Sequence, residues 1–272
     1  MKPLTLSVKL IPAQRVDLSP LVYQQLIGKQ TVDIGKITLQ CGKRLVRVDE
    51  LFHLSGDDVA NIVIKNGHDK LDYIGKEMEG GQITVEGDAG AYLAMGMRSG
   101  TIHISGNAGL YAACEMRGGL LEIEGNAGDF LGGALPGNRK GMRGGTVVVK
   151  GNVGDRAGDR MRRGNLLIEG DAGNYCGSRM IAGTIAVMGK TGQYIGYNMR
   201  RGTLLLWQPP DVPPTFNDCG LHSLAFLPIL FASFRQLNSK FADPDAAFNR
   251  ARRYGGDISE IACGEMLVRS QS

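Results

Sequence analysis

A methionine recurs along the middle of this chain at near-constant spacing. Met78, Met97, Met116, Met142, Met161, Met180 and Met199 are separated by 19, 19, 26, 19, 19 and 19 residues. The one exception is an insertion of seven residues around "GGALPGNRKG", 132–141. Three residues after each Met stands a glycine, Gly81, Gly100, Gly119, Gly145, Gly164, Gly183 or Gly202. Nine and twelve residues after each of the first six comes a further glycine pair, such as Gly87 and Gly90. An aromatic follows two residues later at Tyr92, Tyr111, Phe130, Tyr175 and Tyr194, with Arg156 at the remaining rung. Of the 40 glycines in 272 residues, 30 fall between Gly80 and Gly202, so the glycine excess belongs to the repeat.

Each unit carries a short alternating segment, "QITVE", "TIHIS", "LLEIE", "TVVVK", "NLLIE", "TIAVM" and "TLLLW". Pairs such as Ile83/Val85 and Ile102/Ile104 lie two residues apart, the period of one strand face. Glycines on both sides mark corners that need positive φ or close backbone approach. The Asp or Asn after the second glycine (Asp88, Asn107, Asn126, Asn152, Asp171) suits a corner, because it tolerates the left-handed region and bonds its own backbone. A short strand, a corner and an obligatory repeat near 20 residues predict a mainly β chain: a right-handed β-solenoid with 19-residue coils. Coils stacked about 4.8 Å apart place equivalent side chains in ladders. A transmembrane barrel needs longer alternating strands, about 9–11 residues each. A left-handed hexapeptide helix, whose usual chemistry is acyl transfer through a histidine, needs an 18-residue coil with equal sides; it stays as a minor alternative.

The flanks differ from the repeat and predict small mixed α/β capping segments, since solenoid ends expose unpaired strand edges. Residues 1–57 form an N-terminal cap, with a strand over Leu4–Leu10 and a helix after Ser19. Residues 58–207 form the Gly-rich β-helix of about seven regular coils, with 58–77 as a degenerate first coil. Residues 208–272 hold the Pro-rich stretch "QPPDVPPT" and a partly helical tail, with an apolar segment over Leu221–Phe234, a helix after Asp243 and a short strand at "EMLVR".

No apolar run approaches the roughly 20 residues that span a bilayer, and the N-terminus lacks a signal-peptide pattern, so the reading is cytoplasmic with no membrane partner. Five cysteines, odd in number and without a CxxC pair, indicate neither a disulfide framework nor a thiolate-rich metal site. His103 falls between Ile102 and Ile104, on the outer strand face beside Thr84 and Glu122, as a solvent-facing ladder residue. Cys219 and His222 are too few for a structural zinc site. The glycines belong to coil corners rather than to a dinucleotide fingerprint, and "GNRKG" is not a P-loop. No catalytic, metal or cofactor-binding residue is assigned.

Two surface patterns remain. The residue after the repeat Met is Arg98, Arg117, Arg143, Arg162 or Arg200 in five of seven units. Between Arg139 and Arg163, eight cations (Arg139, Lys140, Arg143, Lys150, Arg156, Arg160, Arg162, Arg163) face only Asp155 and Asp159, in a chain of net charge +4. Like charges stacked at strand spacing are unfavourable without compensation. Arg139, Lys140, Arg143, Arg156, Arg160, Arg162 and Arg163 therefore form either a solvated edge or a docking strip for an acidic partner or polyanionic ligand. Nucleic acid is disfavoured, since no stacking aromatics interleave the arginines. The second pattern is a polarity change on the outer face. Early coils show Thr84/Glu86 and Glu122/Glu124, while the last two show Ala186/Met188 and Leu205/Trp207. Something covers that end: the chain's own C-terminal segment, or a partner.

The tandem Gly-[Asp/Asn]-x-Gly…Met-Arg-x-Gly units across 78–206 resemble the Gly-rich β-helix family that includes the C-terminal domain of the large glutamate synthase subunit and the C subunit of formylmethanofuran dehydrogenase. The "LTLSVKL" strand and the tail "YGGDISEIACGEMLV" look like that C subunit, and the arginine bias looks like its branch in the bacterial formyltransferase/hydrolase complex. That resemblance implies one-carbon (formaldehyde) oxidation in a hetero-oligomer. An amidohydrolase-like subunit and a formyltransferase subunit perform the chemistry with tetrahydromethanopterin and a methanofuran-type carrier, and this chain is a scaffold that binds no cofactor alone. It also implies a candidate ligand for the arginine strip, the glutamyl carboxylates of such a carrier. The C subunit of an archaeal formylmethanofuran dehydrogenase and a self-contained β-helix acyltransferase are the alternatives.

Overall fold

The computed structural model describes residues 2–270. The N-terminal part contains β1 (Pro3–Val8), β2 (Val16–Asp17), α1 (Tyr23–Leu26), α2 (Thr31–Gly35), β3 (Thr38–Cys41), β4 (Arg44–Arg47), α3 (Val48–Leu51) and β5 (Phe52–Ser55). The helix expected directly after Ser19 is one turn that begins at Tyr23, because Ser19 and Pro20 form the turn before it. β6 (Asp58–Gly67) and β7 (Leu71–Asp72) lead into the repeats. Those supply β8 (Glu79–Gly87), β9 (Ser99–Ile104), β10 (Leu120–Ile123), β11 (Arg143–Val149), β12 (Arg163–Ile168), β13 (Thr184–Val187) and β14 (Arg201–Leu206). The remainder contributes β15 (Asn217–Ser223), α4 (Phe226–Phe234), β16 (Arg250–Gly256) and β17 (Cys263–Arg269).

β6 and β8 to β14 lie side by side in chain order and in parallel, within a sheet of 13 strands. Ile83 pairs with Ile102, Ile102 with Leu121, Val147 with Leu166, Leu166 with Ile185 and Ile185 with Leu204, each step one repeat of 19 residues. The pairing of Leu121 with Val147 absorbs the insertion without a change of register. "NIVIKNG" pairs as an irregular first unit, Ile62 against Ile83, with a bulge before Gly67. Both ends of the sheet are antiparallel, β5 beyond β1 at one and β15–β16–β17 at the other. The tail is thus more β than expected. The helix placed after Asp243 is a single 3-10 turn, Pro244–Ala246, started by the Asp243 side chain and Pro244.

The structure explains the Met-x-x-Gly pairing. All seven repeat methionines point inward and are 0% exposed. The thioether tips of the first six lie beneath the glycine of the following unit, and Met199 lies beneath Gly264 of β17. A Cβ at Gly145, where φ is +86°, would stand 2.8 Å from Met116 Cε and 2.8 Å from Gly119 O. Only glycine fits both the left-handed backbone and the space that the preceding methionine occupies.

Side-chain ladders hold the corners. Asn107 N–H donates to Asp88 Oδ1 (2.7 Å), Asn126 N–H to Asn107 Oδ1 (2.9 Å), Asn152 N–H to Asn126 Oδ1 (2.7 Å) and Asp171 N–H to Asn152 Oδ1 (2.8 Å). This corrects the expected role: these side chains bond the next unit rather than their own backbone, and their φ is not positive. The aromatic rungs are left-handed instead, as are the residues just before several repeat methionines, Glu77, Glu115, Arg160 and Arg179 among them. Tyr73, Tyr92, Tyr111, Phe130, Arg156, Tyr175 and Tyr194 have φ between 58° and 61°. A bulky residue there is strained by about 1 kcal/mol or more. Stacking compensates, with ring centroids 4.8, 5.4 and 4.7 Å apart from Tyr73 to Phe130 and 4.9 Å from Tyr175 to Tyr194. The rung N–H groups donate ahead along the stack, Tyr92 to Leu110 O and Tyr111 to Asp129 O.

Among the described residues no helix is long and apolar enough to cross a membrane. All five cysteines are free, Cys114 and Cys176 buried and Cys219 and Cys263 exposed.

Candidate functional site

The seven-residue insertion leaves the chain between the Phe130 rung and Met142. Asn138 closes its turn on Leu135 O (2.9 Å). Glu115, from the preceding unit, pins the loop: its Oε1 accepts from Asn138 Nδ2 (2.6 Å), while Oε2 lies 3.5 Å from Arg143 Nη2. Beneath the loop lies a groove of about 260 Å³, with Tyr111, Phe130, Asp159, Arg160 and Arg179 in its lining. Asp159 is almost wholly buried. Its Oδ1 accepts from Ser178 Oγ (2.7 Å) and Arg179 Nε (2.8 Å), and its Oδ2 from Arg179 Nη2 (2.7 Å), with Arg160 Nε 3.9 Å away. Two guanidinium groups thus share one carboxylate, and the groove keeps a net positive charge. Burial raises the pKa of the Tyr111 phenol, so its hydroxyl stays protonated at neutral pH.

The structure divides the seven cations that the sequence groups together. Arg139 and Lys140 are exposed on the loop. Arg160 lines the groove. Arg143 and Arg162 occupy equivalent places after their methionines, since Arg143 N–H donates to Met116 O and Arg162 N–H to Met142 O. Arg163 pairs with Arg143 across β11 and β12 and is exposed. The Nε atoms of Arg143 and Arg162 are buried without a hydrogen-bond partner. Arg156 is set apart, its guanidinium held between the Phe130 and Tyr175 rings. Sequence reasoning missed Arg179, Asp159 and Glu115. The signal was available: Glu115, Arg160 and Arg179 each directly precede a repeat methionine, so they share one ladder position.

The outer apolar residues lie under the chain's own tail. Ala186 and Leu205 are fully buried, in one cluster with Leu227, Phe231, Phe234 and Phe241; Met188 and Trp207 pack against it. Trp207 meets Phe231, Phe241 and Phe248 edge to face at 5.9, 5.2 and 5.1 Å, and its indole N–H donates to Ala246 O (3.1 Å). Glu169 anchors the cover by accepting from Ser239 Oγ (2.7 Å) and Lys240 N–H (2.8 Å). The covered strip begins earlier than the sequence indicates, at Val148 and Leu167.

His103 sits opposite Thr84 and Glu122, its Nδ1 3.7 Å from a Glu122 oxygen. His222 Nε2 lies 2.9 Å from Cys219 O, so the ring meets the backbone rather than the thiol. Among the described residues no three His, Cys, Asp or Glu side chains are grouped to hold a metal ion.

No protein-family model matches the chain. Over 255 residues, 94% of the chain and 95% of the relative, it is 48% identical to the C subunit of the formyltransferase/hydrolase complex Fhc of Methylorubrum extorquens. Shorter stretches match the C subunit of tungsten-containing formylmethanofuran dehydrogenase 2. The match is 32% over 95 residues in Methanococcus maripaludis (34% of this chain, 35% of the relative). In Methanocaldococcus jannaschii it is 44% over 57 residues (20% and 21%). The fold superposes with a TM-score of 0.93 and 38% identity on a chain of the crystal structure of the formyltransferase/hydrolase complex FhcABCD from M. extorquens, solved with methylofuran. That superposition covers 98% of this chain and 100% of the other.

Proposed function

The chain belongs to the C-subunit family of the formyltransferase/hydrolase complex, and from that membership we propose that it is a non-catalytic scaffold subunit of such a complex. The complex transfers a formyl group from formyl-tetrahydromethanopterin to a methanofuran-type carrier and hydrolyses it to formate. In this reading the parallel array is a right-handed solenoid of 19-residue coils over 58–207, capped by 1–57 and 208–272. An amidohydrolase-like and a formyltransferase subunit pack against it in the cytoplasm. The observation that carries the reading is the 48% identity sustained over 94% of the chain. The chemistry of the groove agrees with it. Arginine guanidinium groups keep their protons at neutral pH, so they bind and orient anions rather than exchange protons with a substrate.

The cations around the insertion are the proposed docking strip for an acidic partner surface or for a carboxylate-bearing carrier. Arg139, Lys140, Arg143, Arg160, Arg162 and Arg163 form it, joined by Arg179, while Arg156 stays in the ladder. The test of the scaffold reading is to tag the chain in its native cell, purify it gently, and assay both the assembly and the isolated chain. An amidohydrolase-like and a formyltransferase subunit should co-purify, with turnover of formyl-tetrahydromethanopterin in the assembly alone. A solitary chain that turns over an acyl or formyl donor would overturn the reading.

A further inference from the structure

Across the sheet one core-facing row reads Val85, Ile104, Ile123, Val149, Ile168, Val187, Leu206 and Val268, each residue paired with the next. All eight are buried. The same row continues onto β16 with Arg252, opposite Val268, and onto β15 with Leu221, opposite Arg252. Leu221 is 46% exposed although it occupies a core-type position. A cavity of about 610 Å³ opens at this point, and Trp207, Leu221, Arg252, Tyr254, Val268 and Arg269 line it. That volume falls within the roughly 300–1,000 Å³ of small-molecule sites.

Its walls are fixed before any ligand arrives. The Trp207 indole is tied to Ala246 O and wedged among three phenylalanines. Arg252 is committed to Asp218, with Nε 3.0 Å from Oδ2. Arg269 differs: its Nη2 donates to the neutral carbonyl of Asp245 (3.2 Å), and among the described residues no carboxylate lies within ion-pair distance of it. Among the described residues no carboxylate lines the cavity. An apolar floor beside a guanidinium disfavours cations and suits a ligand that joins an apolar body to an anionic group.

We propose that this cavity beyond β14 binds a small amphipathic anion, with a ring-sized apolar body on Leu221, Val268, Tyr254 and Trp207 and a carboxylate or sulfonate on Arg269. The site is independent of the scaffold reading. Trp207 is the chain's single tryptophan, so it reports occupancy directly. The probe is 8-anilinonaphthalene-1-sulfonate, titrated into the full chain, with uncharged N-phenyl-1-naphthylamine as its control. We expect saturable, one-to-one quenching of Trp207. Arg269→Gln should weaken the sulfonate about tenfold, the loss of one charge-assisted contact, and leave the uncharged probe unaffected. Leu221→Glu should abolish both. Affinity for the sulfonate in the unaltered chain should fall as salt rises, a readout that needs no variant. Unsaturable quenching, salt-independent affinity, or equal sulfonate affinity in Arg269→Gln would overturn the proposal. In the hetero-oligomer, probe binding that Leu221→Glu removes is expected; its absence would give the cavity to a partner protein and end the small-ligand reading.

Discussion

Arg156 stands between the rings of Phe130 and Tyr175, its guanidinium carbon 5.9 Å from the first centroid and 4.5 Å from the second. It fills the one rung of the ladder that lacks an aromatic, with the same left-handed backbone, φ 61°. A planar cation continues a stack of rings because the ring faces are electron-rich. Replacing it with alanine should remove two cation–π contacts and keep the backbone strain, a loss of about 1–3 kcal/mol. Arg156→Tyr should retain most of that by stacking. Thermal unfolding of the two variants decides the matter. Equal destabilisation by alanine and tyrosine would mean that the rung is held by its backbone alone.

Asn126 both donates and accepts in its corner ladder, through its N–H to Asn107 Oδ1 and its Oδ1 from Asn152 N–H. Asn126→Ala leaves the Asn152 N–H without that acceptor and should cost about 1–2 kcal/mol. Asn126→Asp keeps an acceptor, as Asp88 and Asp171 do at equivalent rungs, and should cost less. Denaturant unfolding of the pair separates loss of the bond from change of charge.

Gly145→Ala meets two obstacles at once, a positive φ and the tip of Met116. We expect a loss of about 2–4 kcal/mol by denaturant unfolding, in the range of overpacked core sites. The double variant with Met116→Ala makes room for the new methyl group. Its loss should be smaller than the sum of the separate losses, which shows coupling between the two sites. Simple additivity would place the whole cost in the backbone.

Cys176 is almost wholly buried, and burial pushes its thiol up to about 12; Cys114, also deep in the core, is raised to about 12, chiefly by burial. In the unfolded chain these thiols ionise near their ordinary value of about 9. Above that pH the unfolded state loses a proton that the folded state keeps. Stability is therefore fully present below about 9 and falls between about 9 and 12, at up to about 1.4 kcal/mol per pH unit for each thiol. Cys176→Ala should flatten the alkaline limb of a stability–pH curve by one thiol's share. A thiol reagent at about pH 8 should modify Cys219 and Cys263 quickly, and Cys114 and Cys176 only on unfolding.

Much of this architecture was legible because a repeat writes the same physical constraint many times. Ile102 and Ile104 face inward as their two-residue period requires, and the register Ile102–Leu121 follows from the ruler of methionines. What the ruler meant was less clear. Methionine at a corner carries no directional signal until the glycine above it is seen to accommodate its tip. The left-handed aromatic rungs contradict local preference and emerge only through the stack that compensates them. The pairing of Asp159 with Arg179 was missed for a different reason: the two lie 20 residues apart in chain but one rung apart in space, so it shows only when ladder positions are compared between units. The extent of the outer cover, back to Val148, also needed the tail's path, since a single outward valine is ordinary on a sheet.

The docking strip yields the sharpest test of assembly. Arg163 is exposed, and Arg162 and Arg163 have no carboxylate partner within ion-pair distance among the described residues. Reversing both to glutamate would relieve their mutual repulsion and that with Arg143, but a carboxylate at 162 reaches the buried position of the Arg162 Nε. Arg163→Glu alone, at an exposed position, is therefore the control that should leave the isolated chain as stable. A loss of assembly shared by Arg163→Glu then reads as a lost contact rather than as misfolding. With an acidic surface or polyanion opposite, the reversal should weaken association about tenfold to a hundredfold at low salt, with a smaller gap at high salt. Sedimentation of the reconstituted complex across ionic strengths, beside the melting temperature of each chain, provides both readings. Unchanged association and unchanged turnover of the complex would return these arginines to solvent, and the strip would be no more than an edge of the ladder.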